Sequence, residues 1–176
     1  MSDRRLKFEQ LVLPHLDAAY NLARWMTRND SDARDVVQEA SLRAFRFLDG
    51  LRGEAKPWLL ALVRNACLSW LKANRPAELT ALDDDALLRH VDEDSPEVIA
   101  LREVDRRMLN EALAALPAQF REALVLREME DLSYRDIARI TGAPIGTVMS
   151  RLARARRLLA ESLRAISRAS APQEAR

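Results

Sequence analysis

The sequence is short of the residues that usually carry chemistry. One cysteine, Cys67, excludes a disulfide within the 176-residue chain, and its apolar helical context fits a small buried hydrophobe rather than a reactive thiol. The two histidines, His15 and His90, lie far apart without cysteine or carboxylate partners at metal-ligand spacing, so no metal is expected. Four glycines form no phosphate-binding loop, and no nucleophile–base pair is visible, so neither catalysis nor a cofactor is expected. No alternating β-branched run argues for a sheet. No window approaches the ~20 apolar residues of a membrane span, and the first residues lack an apolar signal core. The expectation is a cytoplasmic protein without membrane insertion. Lysine is limited to Lys7, Lys56 and Lys72, and the corresponding excess of arginine points to a GC-rich genome.

What is abundant is alanine, leucine, arginine and glutamate, which favour helices, so the fold class expected is all-α, in two small helical domains. The formal net charge of +1 hides a segregation. Residues 78–105 carry Asp83, Asp84, Asp85, Asp92, Glu93, Asp94, Glu97 and Glu103 against Arg89 and Arg102, whereas arginines dominate residues 133–168. The basic end suits a polyanion.

Along the chain, Phe8, Leu11, His15, Ala19, Leu22 and Met26 recur at helical intervals, with Pro14 at the first turn of a new helix. Asn29 to Ser31 reads as a turn and cap. The next helix is expected to bury Ala33, Val37, Ala40, Ala44 and Phe47, leaving Asp35, Gln38, Glu39 and Arg43 outward. A loop with Gly50 and Gly53 precedes a third helix over 57–74, with Trp58, Leu62, Ala66 and Trp70 toward the core and Arg64, Asn65 and Lys72 available to solvent or ligand. Pro76 is expected to end it. This gives a first unit at 1–77, an acidic flexible linker at 78–97 with at most a short helix at 86–88, a second unit at 98–168 and a frayed tail at 169–176. In the second unit, Leu101, Val104, Met108, Ala112 and Leu113 share a face, and Pro117 starts a helix burying Phe120, Ala123 and Leu124.

Residues 131–159 read as a helix-turn-helix. Ser133 can cap a helix that has Asp136 in its first turn. Tyr134, Ile137, Ala138 and Thr141 fall on one face, and Gly142 and Pro144 stop the helix. In the second helix Val148, Leu152, Ala155 and Leu159 form the inward stripe. The opposite face carries Ser150, Ala153, Arg154 and Arg157, flanked by Met149 and Arg151. A face that is small and polar at its start and arginine-rich further on suits a DNA major groove, where arginine reads guanine bidentately and the remaining guanidinium groups neutralise phosphates. A basic run alone is more often a solvated surface; the short first helix and the turn reverse those odds.

Two blocks resemble one family. Residues 32–45 (DARDVVQEASLRAF) with 51–65 (LRGEAKPWLLALVRN) resemble conserved region 2 of bacterial extracytoplasmic-function (ECF) sigma factors. Residues 116–127 (LPAQFREALVLR), 132–138 (LSYRDIA) and 146–157 (GTVMSRLARAR) resemble their region 4. The resemblance implies a dissociable subunit of RNA polymerase that confers promoter recognition and helps melt the start site. It places Asp32, Asp35, Gln38 and Glu39 on the helix that docks on the β′ clamp helices, with the β flap as a further polymerase contact. It places Leu51, Arg52, Lys56, Trp58, Arg64 and Asn65 at the single-stranded −10 element. For the −35 duplex it implies Ser150, Ala153 and Arg154, with Met149, at bases and Arg127, Arg151 and Arg157 at phosphates. An anti-sigma factor is an implied partner. Ala61 stands where many members carry arginine, and Arg34 where an acid is common. The rival readings are a sigma-like decoy for an anti-sigma protein and a simple helix-turn-helix regulator. The regulator leaves the 32–39 helix and the two-glycine loop without a job.

Overall fold

The computed structural model describes residues 2–83 and 106–170. The expectations for 86–88, for 98–105 and for the last residues of the tail lie outside them. Among the described residues there are helices and turns and no strand.

The N-terminal unit begins with α1 (Ser2–Leu11), whose solvated side is laced by Lys7–Asp3 and Arg5–Glu9 ion pairs, both at 2.8 Å. Pro14 sits in a single 3-10 turn, and α2 (Leu16–Thr27) follows. Arg28, in left-handed backbone at φ 59°, closes α2. Asn29 opens α3 (Asp30–Arg46): its side chain accepts the N–H groups of Ser31 and Asp32 at 2.8 and 3.0 Å, and Asp30 and Asp32 face the positive end of the helix dipole.

Helices α2, α3 and α4 (Ala55–Asn74) pack in mutual contact. The buried stripe of α3 is almost all alanine, Ala33, Ala40 and Ala44 with Val36, so its neighbours can approach closely. They supply the bulk: Leu22 and Met26 from α2, and Leu59, Leu60, Val63 and Leu71 from α4. Full burial of each such leucine contributes about 1.5–3 kcal/mol.

Three expectations are corrected here. In α3 it is Val36 that is buried, while Val37 is half-buried and Phe47 is 57% exposed. In α4 the buried set is Leu59, Leu60, Val63, Ala66, Cys67 and Leu71, and Trp58, Leu62 and Trp70 sit half-buried at its edge. Pro76 does not lead into an unstructured linker: Arg75 terminates α4, and Pro76 takes the first position of α5 (Pro76–Asp83), where a missing N–H costs nothing.

The C-terminal unit comprises α6 (Arg106–Ala115), α7 (Ala118–Leu124), a π-helical turn (Val125–Met129), α8 (Tyr134–Thr141) and α9 (Ile145–Ser170). The last helix runs to Ser170, into the tail expected to fray from residue 169. α6, α7 and α8 all pack on α9. Phe120, Ala123 and Leu124 are buried as expected, and so are Gln119, Arg121 and Glu122, because the other side of α7 is covered by α2 and α5 of the first unit.

Candidate nucleic-acid and polymerase interfaces

The helix-turn-helix is assembled by local devices. Ser133 Oγ accepts the Asp136 N–H at 3.1 Å and donates to the Asp136 carboxylate at 2.7 Å, closing the start of α8. Gly142, at φ +68°, ends it in the left-handed conformation that an L side chain rarely adopts. Ile137 and Ile140 face inward from α8, and Val148, Leu152, Ala155 and Leu159 from α9, all four as the spacing predicts. Arg127 secures the approach: its guanidinium donates to the Leu132 carbonyl at 2.8 Å and lies over the Tyr134 ring. Arg156 ties α9 to the π turn through Glu128 at 2.7 and 3.2 Å. Burial opposes the Arg156 charge, but Glu128 and the Tyr134 hydroxyl outweigh it and the net pKa shift is upward.

On the outer side of α9, Met149 is 49% exposed, while Ser150, Ala153, Arg154 and Arg157 are half-buried. The Ser150 hydroxyl donates back to the Gly146 carbonyl at 3.0 Å, leaving its lone pairs as acceptors. Arg154 Nε is shielded from solvent with no acceptor among the described residues. Arg151 is the exception on this face, at 8% exposure. The structure therefore groups Met149, Ser150, Ala153, Arg154 and Arg157, and holds Arg127 and Arg151 inward.

On the first unit, Asp35, Gln38 and Glu39 are exposed along one face of α3, Asp32 is half-buried, and Glu39 pairs with Arg43. Leu42, at 66% exposure, continues that face. The loop before α4 turns at Gly53, φ +75°, and places Arg52 outward, its guanidinium donating to the Asp49 and Leu51 carbonyls at 3.2 and 3.1 Å. Leu51, Lys56, Trp58 and Arg64 are half-buried and Asn65 is exposed.

Arg64 is less open to solvent than the sequence led one to expect, and Lys56 is engaged by the second unit as well. Arg64 pairs with Glu122 through two contacts, the longer at 3.4 Å. Lys56 Nζ donates to the Glu130 carbonyl at 2.6 Å and approaches its carboxylate at 3.3 Å, while Asn21 donates to the same carboxylate at 2.6 Å. Nothing in the periodicity marks Glu122 or Glu130; each resembles an ordinary surface acid until the second unit is placed against the first. Nearby Arg121 is buried, its guanidinium donating to the Ala114 and Leu116 carbonyls at the end of α6. Burial, reinforced by Arg28, lowers its pKa to about 10, so it remains cationic at neutral pH.

Comparison with known proteins follows the same division. Residues 11–76 match the family described as Sigma-70 region 2, and residues 106–159 the family described as Sigma-70, region 4. The chain is 37% identical over 147 residues to the ECF RNA polymerase sigma-E factor of Haemophilus influenzae, which covers 78% of this chain and 77% of that protein. It is 34% identical over 170 residues to the RNA polymerase sigma-H factor of Pseudomonas aeruginosa, covering 92% and 88% respectively. Among solved structures it is similar to the sigma factor RpoE from Bartonella quintana, crystallised with the anti-sigma factor NepR, at a TM-score of 0.67 and 29% identity over 89% of this chain and 96% of that one. With both regions present in order and relatives that align along most of their length, the chain belongs to the ECF family of sigma-70 RNA polymerase sigma factors.

Proposed function

We propose that the chain directs core RNA polymerase to its promoters through three surfaces. Asp32, Asp35, Gln38 and Glu39 on α3 dock on the polymerase β′ clamp helices, and the second unit contacts the β flap. The outer face of α9 enters the −35 major groove: Arg154, Ser150, Ala153 and Met149 approach base edges, and Arg157 neutralises phosphate. Arg127 and Arg151 support this helix from within. The loop before α4, with Leu51, Arg52, Lys56, Trp58, Arg64 and Asn65, takes the melted −10 strand, which needs a stacking surface, hydrogen-bonding groups and a cationic rim.

The observation that carries this reading is the coexistence of two unlike outer faces in one chain. An exposed acidic helix with Leu42 beside it suits a protein partner, and a helix-turn-helix with an arginine-bearing outer face suits DNA. Chemistry is left to the polymerase: the relatives are initiation factors rather than catalysts. The place of action is the cytoplasm; no helix among the described residues is long and apolar enough to cross a membrane. Because the Bartonella sigma factor is held by NepR, we infer that a protein inhibitor also holds this chain until it is needed.

Binding to core polymerase tests the docking surface. Asp35→Ala with Glu39→Ala should weaken core binding about tenfold or more, as loss of two interfacial charges does, without changing the thermal unfolding of the free chain. Unchanged core affinity in a folded variant contradicts the assignment of α3.

A further inference from the structure

The start of α1 adds nothing to the core. Residues 3–7 are all exposed, and the helix is anchored further along by Phe8, whose ring meets that of Phe45 on α3 edge-on with centroids 5.5 Å apart. Most of α1 also precedes the stretch that matches Sigma-70 region 2, which begins at residue 11. Its charges are nevertheless sorted. Asp3 takes Lys7 and Glu9 takes Arg5, each within the helix, whereas Arg4 pairs with Asp49 in the loop before α4.

The loop does not need Arg4 for its shape. Leu48 is buried, the Gly50 N–H donates to the Phe47 carbonyl at 2.9 Å, the Leu51 N–H donates to the Leu48 carbonyl at 3.1 Å, and Arg52 holds the Asp49 carbonyl. What the loop lacks is positive charge. Residues 48–56 set Asp49 and Glu54 against Arg52 and Lys56, which cancel. A strand of phosphates needs a cationic rim, and the Asp49 side chain, 68% exposed, carries the wrong sign for it. Arg4 offsets that charge. Lys7 lies on the same side: its pKa is raised by the bond to Asp3 and further by the Asp49 charge.

We propose that Arg4 is a positioning residue for promoter opening, which from α1 neutralises Asp49 and so lets the loop before α4 present a cationic rim to the melted −10 strand. The role is electrostatic and acts through Asp49; Arg4 itself touches no nucleotide. It rests on the assignment of that loop to the −10 strand made above.

The test uses holoenzyme assembled from core polymerase and full-length variants, on promoter fragments that wild type transcribes. The rate of strand opening is read from permanganate reactivity of the melted thymines, with core affinity and thermal unfolding measured in parallel. An exposed pair is weakened by screening, so Arg4→Ala should slow opening about threefold at low salt and less at high salt, with core affinity unchanged. Arg4→Lys keeps the charge and should restore the rate. Arg4→Ala/Asp49→Asn should also restore it, because no carboxylate is left to neutralise.

A double variant as slow as Arg4→Ala makes Arg4 a direct phosphate contact and overturns the proposal, as does unaltered opening by Arg4→Ala. A fall in melting temperature or core affinity that Asp49→Asn does not restore makes the pair a structural clamp and overturns it too. Arg52→Ala separates this proposal from the reading beneath it. If Arg52→Ala slows opening and Arg4→Ala does not, only the role of Arg4 fails; if Arg52→Ala opens promoters as wild type does, the assignment of the loop fails with it.

Discussion

Arg127 lies over the ring of Tyr134, its guanidinium carbon 5.1 Å from the ring centroid, and donates at 2.8 Å to the carbonyl of Leu132. One side chain thereby joins the end of the π turn to the first residue of α8 and fixes how the helix-turn-helix leaves the body of its domain. Removing it forfeits a hydrogen bond of about 1 kcal/mol and a cation–π contact of about 0.5–1 kcal/mol. Arg127→Ala should therefore lose about 1.5–2 kcal/mol in urea unfolding. Arg127→Lys, without the planar fork, should recover less than half of that. A residue serving only as a phosphate contact would weaken DNA binding and leave stability unchanged.

Ser133 is the second local device. Ser133→Ala removes the acceptor for the Asp136 N–H and should cost about 1 kcal/mol. The loss should be local at first: amide hydrogen exchange should accelerate in the first turn of α8 before it does in α9, whose inward stripe holds it independently. Uniform acceleration throughout the unit would show that the cap has no separate role.

Cys67 gives a pH signature with a definite sign. Burial, reinforced by the Glu122 charge and opposed by Arg64, holds the thiol far above its ordinary 9.0. As pH rises through 9 the unfolded chain loses this proton and the folded chain keeps it, so the contribution present below pH 9 is lost above it. Between pH 9 and the Arg121 value of about 10, beyond which that arginine acts in the opposite sense, wild type should lose about 1 kcal/mol relative to Cys67→Ala. Parallel stability curves for the two proteins, measured with urea under reducing conditions, would show that the thiol ionises freely in the folded state. The same burial predicts that Cys67 resists a thiol-specific reagent until denaturant is added.

The outer face of α9 should separate into a reading residue and a neutralising one. Arg154→Ala should lower discrimination between a promoter and its −35 mutants by about 1–3 kcal/mol. Arg157→Ala should weaken binding to both about equally and reduce the salt dependence of log K by about one unit. Exchanged behaviours would mean that α9 lies in the groove at a different rotation.

Much of this was legible in the sequence wherever one helix meets one core. The four inward residues of α9, the Ser133 cap and the Gly142 stop each follow from a single local rule, and each is found where the rule puts it. In α4 the rule failed because the helix has two covered sides, α2 and α3 on one and α8 on another. Apolar residues then surround most of it, the period is blurred, and the amphipathic rings of Trp58 and Trp70 settle at the edge rather than in the core. The burial of Gln119, Arg121 and Glu122 was not legible for a related reason. Polar residues opposite an apolar stripe normally mean solvent, and only the placement of the first unit against α7 reveals otherwise. Phe47 was assigned to the core by spacing alone, but it lies one position beyond the end of α3, where helical periodicity no longer directs a side chain.

Transcription in vitro tests the central claim most directly. Purified chain, core RNA polymerase and a genomic fragment library should yield discrete start sites that share −35 and −10 motifs at fixed spacing, and Arg154→Ala should reduce them without reducing core binding. Specific initiation that depends on the chain is the predicted result. Tight core binding with no specific start site would contradict the account and leave the chain as a decoy.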